Sequence, residues 1–193
     1  GMDETMIICR SNKRANLYNR GIRNTILYRE DELNSGDLLM VAKNNYYWGS
    51  ENKELDFIAN GDVAVVRRMR RVREMYGFRF ADVVLTFPDY DDLELEVKVL
   101  LDTLHSDTPA LTREQSEHLF NAVQEDYKDI TVKRERVKKL KEDPYYNALQ
   151  VKYAYAVTCH KAQGGQWQNV FLDQGYMTDE YLTPDYFRWL YTA

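Results

Sequence analysis

Cysteine is scarce in this chain. Cys9 and Cys159 are the only two in 193 residues. That is too few for a disulfide framework, so the cytoplasm, a reducing compartment, is the default expectation. Histidine is scarce as well. His105 and His118 give the Cys159-His160 pair no partners at zinc spacing, so no metal site is expected. No apolar run is long enough to span a bilayer and no signal-peptide pattern is present, so no membrane partner is expected. Positive net charge is missing too. With 26 Lys and Arg against 31 Asp and Glu, the formal net charge is −5, which argues against a generic polyanion binder. A hydrophobic content of 44% with 30% charged residues excludes disorder, and the length allows one domain or two small ones. Gly1 ahead of Met2 reads as a tag remnant.

The charge that is present is segregated. Met6–Arg29 carries Arg10, Lys13, Arg14, Arg20, Arg23 and Arg29 without one acid. Arg67–Arg79 and Lys133–Lys141 are also basic, whereas Asp89–Glu96 is acidic. Such segregation suits a protein that touches nucleic acid on one side. Solvated helix faces and edge strands explain any single patch equally well.

Met6–Cys9 reads as a short strand, and Ser11 and Asn12 as helix caps. Ala15, Tyr18, Ile22 and Ile26 then fall on one helical stripe, with Leu17 and Tyr18 read as core. Arg10, Ser11 and Asn12 therefore sit between a strand end and a helix start, where anions are favoured. Leu33–Asp37 is a turn. Beyond it the period becomes that of strands: Leu38–Lys43, Leu55–Ile58, Val63–Met69, Phe80–Phe87 and Leu93–Leu101. Asn60-Gly61 between the second and third of these is a strong hairpin signal. Such short antiparallel strands read as a small barrel or curled sheet. Tyr46, Tyr47 and Trp48 read first as barrel packing and second as a base-stacking cluster.

Helical signals come next. Thr112-x-x-Gln115 fits a capping box, with Leu119 and Val123 continuing an apolar stripe. Ile130–Glu142 reads as a basic surface helix ended by Pro144. Val151–Val157 alternates as a strand and is followed by a polar turn, Thr158–Gln166, with adjacent Gly164 and Gly165. Val170–Leu172 resumes an apolar strand. Thr183-Pro184-Asp185 starts a last helix, with Phe187, Leu190 and Tyr191 as its apolar face. A hydroxyl, an imidazole, an ammonium and an amide collect at one strand end, where α/β sheets bind ligands. His160 alone reads equally well as a buried, hydrogen-bonded histidine, Lys161 has a second reading as a solvated lysine, and Trp167 reads first as a packing plug between turn and sheet and second as a base stacker.

The text T-C-H-K-A-Q-G over Thr158–Gly164 resembles motif V of the superfamily-one DNA helicases, in the RecD-like and UvrD-like branch. That motif usually runs T-x-H-K-S-Q-G-S-E-F. Thr158, His160, Lys161, Gln163 and Gly164 are in register, whereas Ala162, Gln166 and Trp167 depart from it. GDLLMVAKNNYYW and NGDVAVV resemble the Src-homology-3 (SH3)-like barrel inserted in the second motor domain of RecD-like helicases. ICRSN resembles, more loosely, the segment entering that domain, and FRWLYTA the start of motif VI. Residues 102–150 have no counterpart in the resemblance.

The resemblance implies an α/β fold: a RecA-like, P-loop-type second motor domain with an incomplete parallel sheet, an inserted small antiparallel barrel and extra helices. Residues 1–35 and 145–193 would form the motor domain, 36–101 the barrel and 102–144 a helical extension. The chain would be a C-terminal fragment of an ATP-dependent DNA helicase of the exodeoxyribonuclease V α type. Thr158, His160, Lys161, Gln163 and Asn12 would hold single-stranded DNA, and Arg10, Gly164 and Gln166 would face the nucleotide. ATP and magnesium would belong to the intact parent, the magnesium held mainly by its first RecA-like domain. That domain and nuclease subunits are the implied protein partners. The sequence lacks G-x-x-x-x-G-K-[ST], and it stops before the motif VI arginine. No catalytic residue is therefore assigned, and this chain alone is expected not to hydrolyse ATP. The rival reading is a non-catalytic nucleic-acid-binding or protein-interaction module built on the barrel.

Overall fold

The fold is taken from a computed structural model, and residues 4–50 and 55–193 are described. The chain divides into two compact units, one of residues 1–31 and 153–193 and the other of residues 32–152.

The first unit begins with strand β1 (Thr5–Cys9) and helix α1 (Asn12–Gly21). Ser11 caps α1, its hydroxyl accepting the Arg14 N–H at 3.2 Å. After Gly21 the helix widens into a π turn, Ile22–Ile26, closed by Leu27 N–H on the Ile22 carbonyl. The extra residue in that turn rotates the side chains beyond it. Ala15 and Ile22 are buried as expected, but Ile26 is 59% exposed and so is Leu17 at 54%. The expected stripe is corrected accordingly: Asn19 and Arg23 complete the buried face.

The second unit is a closed five-stranded barrel, in the order β2 (Leu38–Val41), β3 (Val63–Met75), β4 (Phe78–Phe87), β5 (Leu93–Leu100) and β6 (Leu149–Tyr153). Its interior holds Leu39, Val41, Ala64, Val66, Ala81, Val83, Leu85, Phe87, Val97, Val99, Leu149 and Val151, all nearly inaccessible. Each large side chain among them contributes roughly 1.5–3 kcal/mol by leaving water.

Four expectations need correction here. The barrel is not wholly antiparallel, because β6 pairs parallel to β5 through Val99↔Leu149 and Leu100↔Gln150. A parallel partner needs a long crossover. Residues 101–148 provide it, with helices α2 (Arg113–Asp126) and α3 (Lys133–Lys141). The segment without a counterpart in the resemblance is thus the connection that lets the barrel close. Ala42 N–H completes the ring by donating to the Gln150 carbonyl at 2.7 Å. Second, Leu55–Ile58 forms no strand, only one bridge between Asn45 and Ile58. Third, Asn60-Gly61 does not join two strands as a tight hairpin. Ala59–Asp62 is a turn with Gly61 at φ +104°, and the strand beside β3 is β2. The tight two-residue turn lies instead at Tyr76-Gly77, both at positive φ, between Met75 and Phe78. A tyrosine is unfavourable there. Its phenol bonds Asp126 at 2.5 Å, and its carbonyl meets His118 Nε2 at 3.0 Å, so α2 holds the turn. Fourth, Val151–Val157 is not one strand. It ends in β6 and resumes as β7 (Ala156–Thr158), in the other unit's sheet.

The capping box at Thr112 and Gln115 is present, and Leu119 and Val123 are buried with Phe78, Phe80 and Leu140. The first unit resumes with β7, the single helical turn α4 (Cys159–Ala162), β8 (Asn169–Asp173) and α5 (Pro184–Thr192). Its sheet has the order β7-β1-β8, parallel throughout. On α5 the buried residue is Tyr186, whereas Phe187 is 54% and Tyr191 94% exposed, which corrects the expected apolar face. No helix among the described residues is long and apolar enough to cross a membrane.

Asn19 sets the break between β6 and β7. Its amide nitrogen donates to the carbonyls of Ala156 at 2.9 Å and Tyr153 at 3.3 Å, and its oxygen accepts the Ala156 N–H at 2.8 Å. Asn19→Ala leaves these buried groups unpaired. We expect a loss of about 1–3 kcal/mol, read as a lower urea midpoint with unchanged slope.

Candidate functional site

The parallel register brings three strand ends together. Cys9 at the end of β1 stands opposite both Thr158 and Asp173, the last residues of β7 and β8. The carboxyl edge of the sheet therefore carries Arg10–Asn12, Thr158–Gln163 and Asp173 side by side. This is the edge at which open parallel sheets bind ligands.

Among the expected DNA contacts, Thr158 is half-buried and precedes α4, and its side chain caps nothing. His160 and Gln163 are exposed. Lys161 is half-buried, and burial lowers its pKa from the ordinary lysine value. Asn12 is half-buried as the first residue of α1. Among the expected nucleotide contacts, Arg10 is exposed and lies over two rings of α5, 5.7 Å from Tyr186 and 5.4 Å from Trp189. This cation–π seat orients the guanidinium. Gly164 is exposed at φ +84°, with open space where a Cβ would stand. Gln166 is exposed farther along the same loop. The register brings Arg10 and Asn12 to the edge that bears Thr158–Gln163, whereas Gly164 and Gln166 lie on the loop leaving it for β8.

The second glycine has a different role. A Cβ on Gly165 would lie 2.0 Å from the Trp167 ring. The indole thus covers the loop backbone at Gly165. Gly165 N–H donates to the Ala162 carbonyl at 3.1 Å and closes the turn.

Sequence reasoning missed two parts of this edge. One is the pair of rings under Arg10; their i, i+3 spacing on a helix was the available signal. The other is the ion pair between Arg14 Nε and Asp173 Oδ2 at 2.5 Å. Its signal was an acid ending an apolar strand, VFLD, but its partner stands 159 residues away. The Arg14 hydrogen bond holds the Asp173 carboxyl below its ordinary value, with help from the Gly175 N–H at 2.9 Å. Beneath this edge the Cys9 thiol is pushed up to about 11, first by burial and then by Asp173. Burial raises Cys159 as well. Neither thiol is a nucleophile at neutral pH.

Residues 153–193 match the family model of the UvrD-like helicase C-terminal domain. This supports a UvrD-like helicase C-terminal region over those residues. No curated protein sequence matches the chain.

The electrostatics give two testable outcomes. The folded pKa of Asp173 lies below its unfolded value, so the ion pair contributes fully above the ordinary carboxylate value and is lost as pH falls through the folded one. Asp173→Asn should therefore lower the urea midpoint at pH 7, with the gap to the parent chain closing in strong acid. Cys9 and Cys159 should resist iodoacetamide at pH 7.5 in the native chain and react once it is unfolded in urea.

Proposed function

We propose that residues 1–31 and 153–193 form the second RecA-like domain of a RecD-like, ATP-dependent DNA helicase of the exodeoxyribonuclease V α type. The observation that carries this reading is the joint one at the sheet edge. A stretch matching a helicase C-terminal domain contributes Thr158–Gln163 to the same parallel-sheet edge as Arg10 and Asn12.

In this reading Thr158, His160, Lys161 and Gln163 donate to phosphates of a single DNA strand, with Asn12 beside them. The half-buried Lys161 has lost part of its hydration, and a phosphate oxygen replaces it with a charge-assisted bond. Arg10, Gly164 and Gln166 face the nucleotide. Gln166 offers an amide where the usual motif has a carboxylate, so it can accept a ribose hydroxyl without repelling phosphate. Ala162 contributes no hydroxyl. The short α4 turn links both contacts, so closure of a partner lobe on ATP shifts the grip on the strand.

The donors at this edge are a hydroxyl, an imidazole, an ammonium and an amide, which suit phosphate. Magnesium fits less well, because the described residues include no group of three His, Cys, Asp or Glu side chains able to hold a metal. In this reading ATP lies between this domain and the first RecA-like domain, which contributes the phosphate loop and most of the magnesium ligands. Nuclease subunits are the further partners, and the cytoplasm is the compartment.

The test is His160→Ala and Lys161→Ala. Each removes one charge-assisted contact, worth about 1.5–3 kcal/mol. Single-strand affinity should fall by roughly ten- to a hundredfold, and DNA-stimulated ATP hydrolysis by the intact parent should fall with it. Affinity and hydrolysis equal to the parent's would remove the assignment.

A further inference from the structure

We propose that the outer face of the β3–β4 hairpin is a second polynucleotide contact, an arginine strip that takes backbone phosphates. It lies in the barrel unit and is separate from the sheet edge. The choice of a polynucleotide as the polyanion rests on the helicase reading.

Strand β3 is 13 residues long, but β2 covers only Val63–Val65 of it. From Arg67 to Glu74 every residue is exposed. That stretch holds Arg67, Arg68, Arg70, Arg71 and Arg73, and no lysine. Simple alternation would divide these arginines between two faces. Two register shifts against β4 prevent that, one between Val66 and Arg68 and one between Met69 and Arg71. Each inserts one residue. Arg68, Arg71 and Arg73 then stand opposite Val84, Asp82 and Phe80. Val84 and Asp82 lie on the outer face of β4, alternate to the buried Ala81, Val83 and Leu85, and Phe80 on that same face is covered by α2.

The inserted residues reach the same face. Arg67 Nε donates to Thr86 Oγ1 at 2.8 Å, and Arg70 holds Glu96 with both Nη atoms at 2.9 and 2.7 Å. Arg73 donates to the Tyr145 hydroxyl at 3.2 Å. All five arginines are thereby gathered on one side. The acids there are already engaged: Glu94 lies 3.8 Å from Arg67, Glu96 pairs with Arg70, and Asp82 pairs with Lys98. Arg68, Arg71 and Arg73 make no ion pair among the described residues.

Edge protection alone does not account for this arrangement. Guarding an edge needs charge on either face and is well served by lysine. It does not need two bulges that turn every guanidinium the same way. Addition of a peptide strand is disfavoured, because the bulges break the regular spacing of edge N–H and C=O groups. Guanidinium forks match phosphate in both geometry and charge. On a chain of net charge −5, such a local positive strip directs a polyanion to one side.

The test uses the whole chain and a fluorescein-labelled oligothymidylate, with anisotropy followed across salt concentrations. Changing Arg68, Arg71 and Arg73 together to Gln should make the slope of log K against log salt shallower by about 2, since each single-strand phosphate contact accounts for roughly 0.7. Changing the same three to Lys should keep most of the slope, which a merely structural loss would not allow. An unchanged slope in the Gln variant overturns the strip. If Lys161→Ala weakens binding in that case, the reading of the sheet edge survives alone. If the Gln variant loses slope and Lys161→Ala does not, the strip stands and the edge assignment falls. Wild-type chain that binds polyglutamate but not the oligonucleotide, or that binds neither, also overturns the proposal.

Discussion

One side-chain amide decides where the chain changes sheets. Between Tyr153 and Ala156 the backbone leaves the barrel and enters the parallel sheet, and Asn19 holds it there together with the Ile7 N–H of β1, which donates to the Tyr155 carbonyl at 3.2 Å. The Asn19 carboxamide meets one N–H and two carbonyls of the passing chain. It does for those groups what a neighbouring strand does for a regular ladder. Burial of the carboxamide makes the arrangement strict, because an aliphatic side chain of similar size offers these groups nothing. Once this crossing is fixed, β7 lies beside β1 with Thr158 opposite Cys9, and the polar turn starts at the sheet edge.

The edge shows how a parallel α/β sheet gathers polar groups from distant segments. Its groups come from segments as far apart as Arg10 and Asp173, and parallel pairing alone brings their strand ends level. Neighbouring charges are already sorted. The Arg14–Asp173 pair is self-contained, whereas Arg10 rests on aromatic faces that orient it without neutralising it. That division commits Arg14 to an acid and seats Arg10 on rings, in a chain whose formal net charge is −5.

Local signals were legible in the sequence and long-range ones were not. The Thr112–Gln115 box, the Ser11 cap and the existence of β4 and β5 as strands depend on residues a few positions apart, and they appear as read. The polar turn at Thr158 was legible because residue types and spacing carry its chemistry. The π turn after Gly21 was hidden, because one additional residue leaves composition unchanged while rotating Ile26 outward. The Tyr76-Gly77 turn was hidden because a tyrosine at positive φ contradicts local preference and is held there by Asp126 and His118 on another element. The split of Val151–Val157 was hidden for the same kind of reason, since Asn19, which holds the chain at the break, is remote in sequence.

The crossover through α2 and α3 has a consequence for synthesis of the chain. Strands β2–β5 are complete by Leu100, but the strand that closes the ring begins at Leu149. At elongation rates of about 5–20 residues per second, the ribosome needs roughly 2–10 s to supply that missing stave. During this interval the nascent sheet carries two raw margins with apolar side chains behind them. Phe78, Phe80 and Leu100 pack with Leu119 and Val123 of α2, the first helix to emerge after β5. That helix can cover the outer face of β4 before closure, so the order of translation lets the long connection settle on the barrel ahead of its last strand.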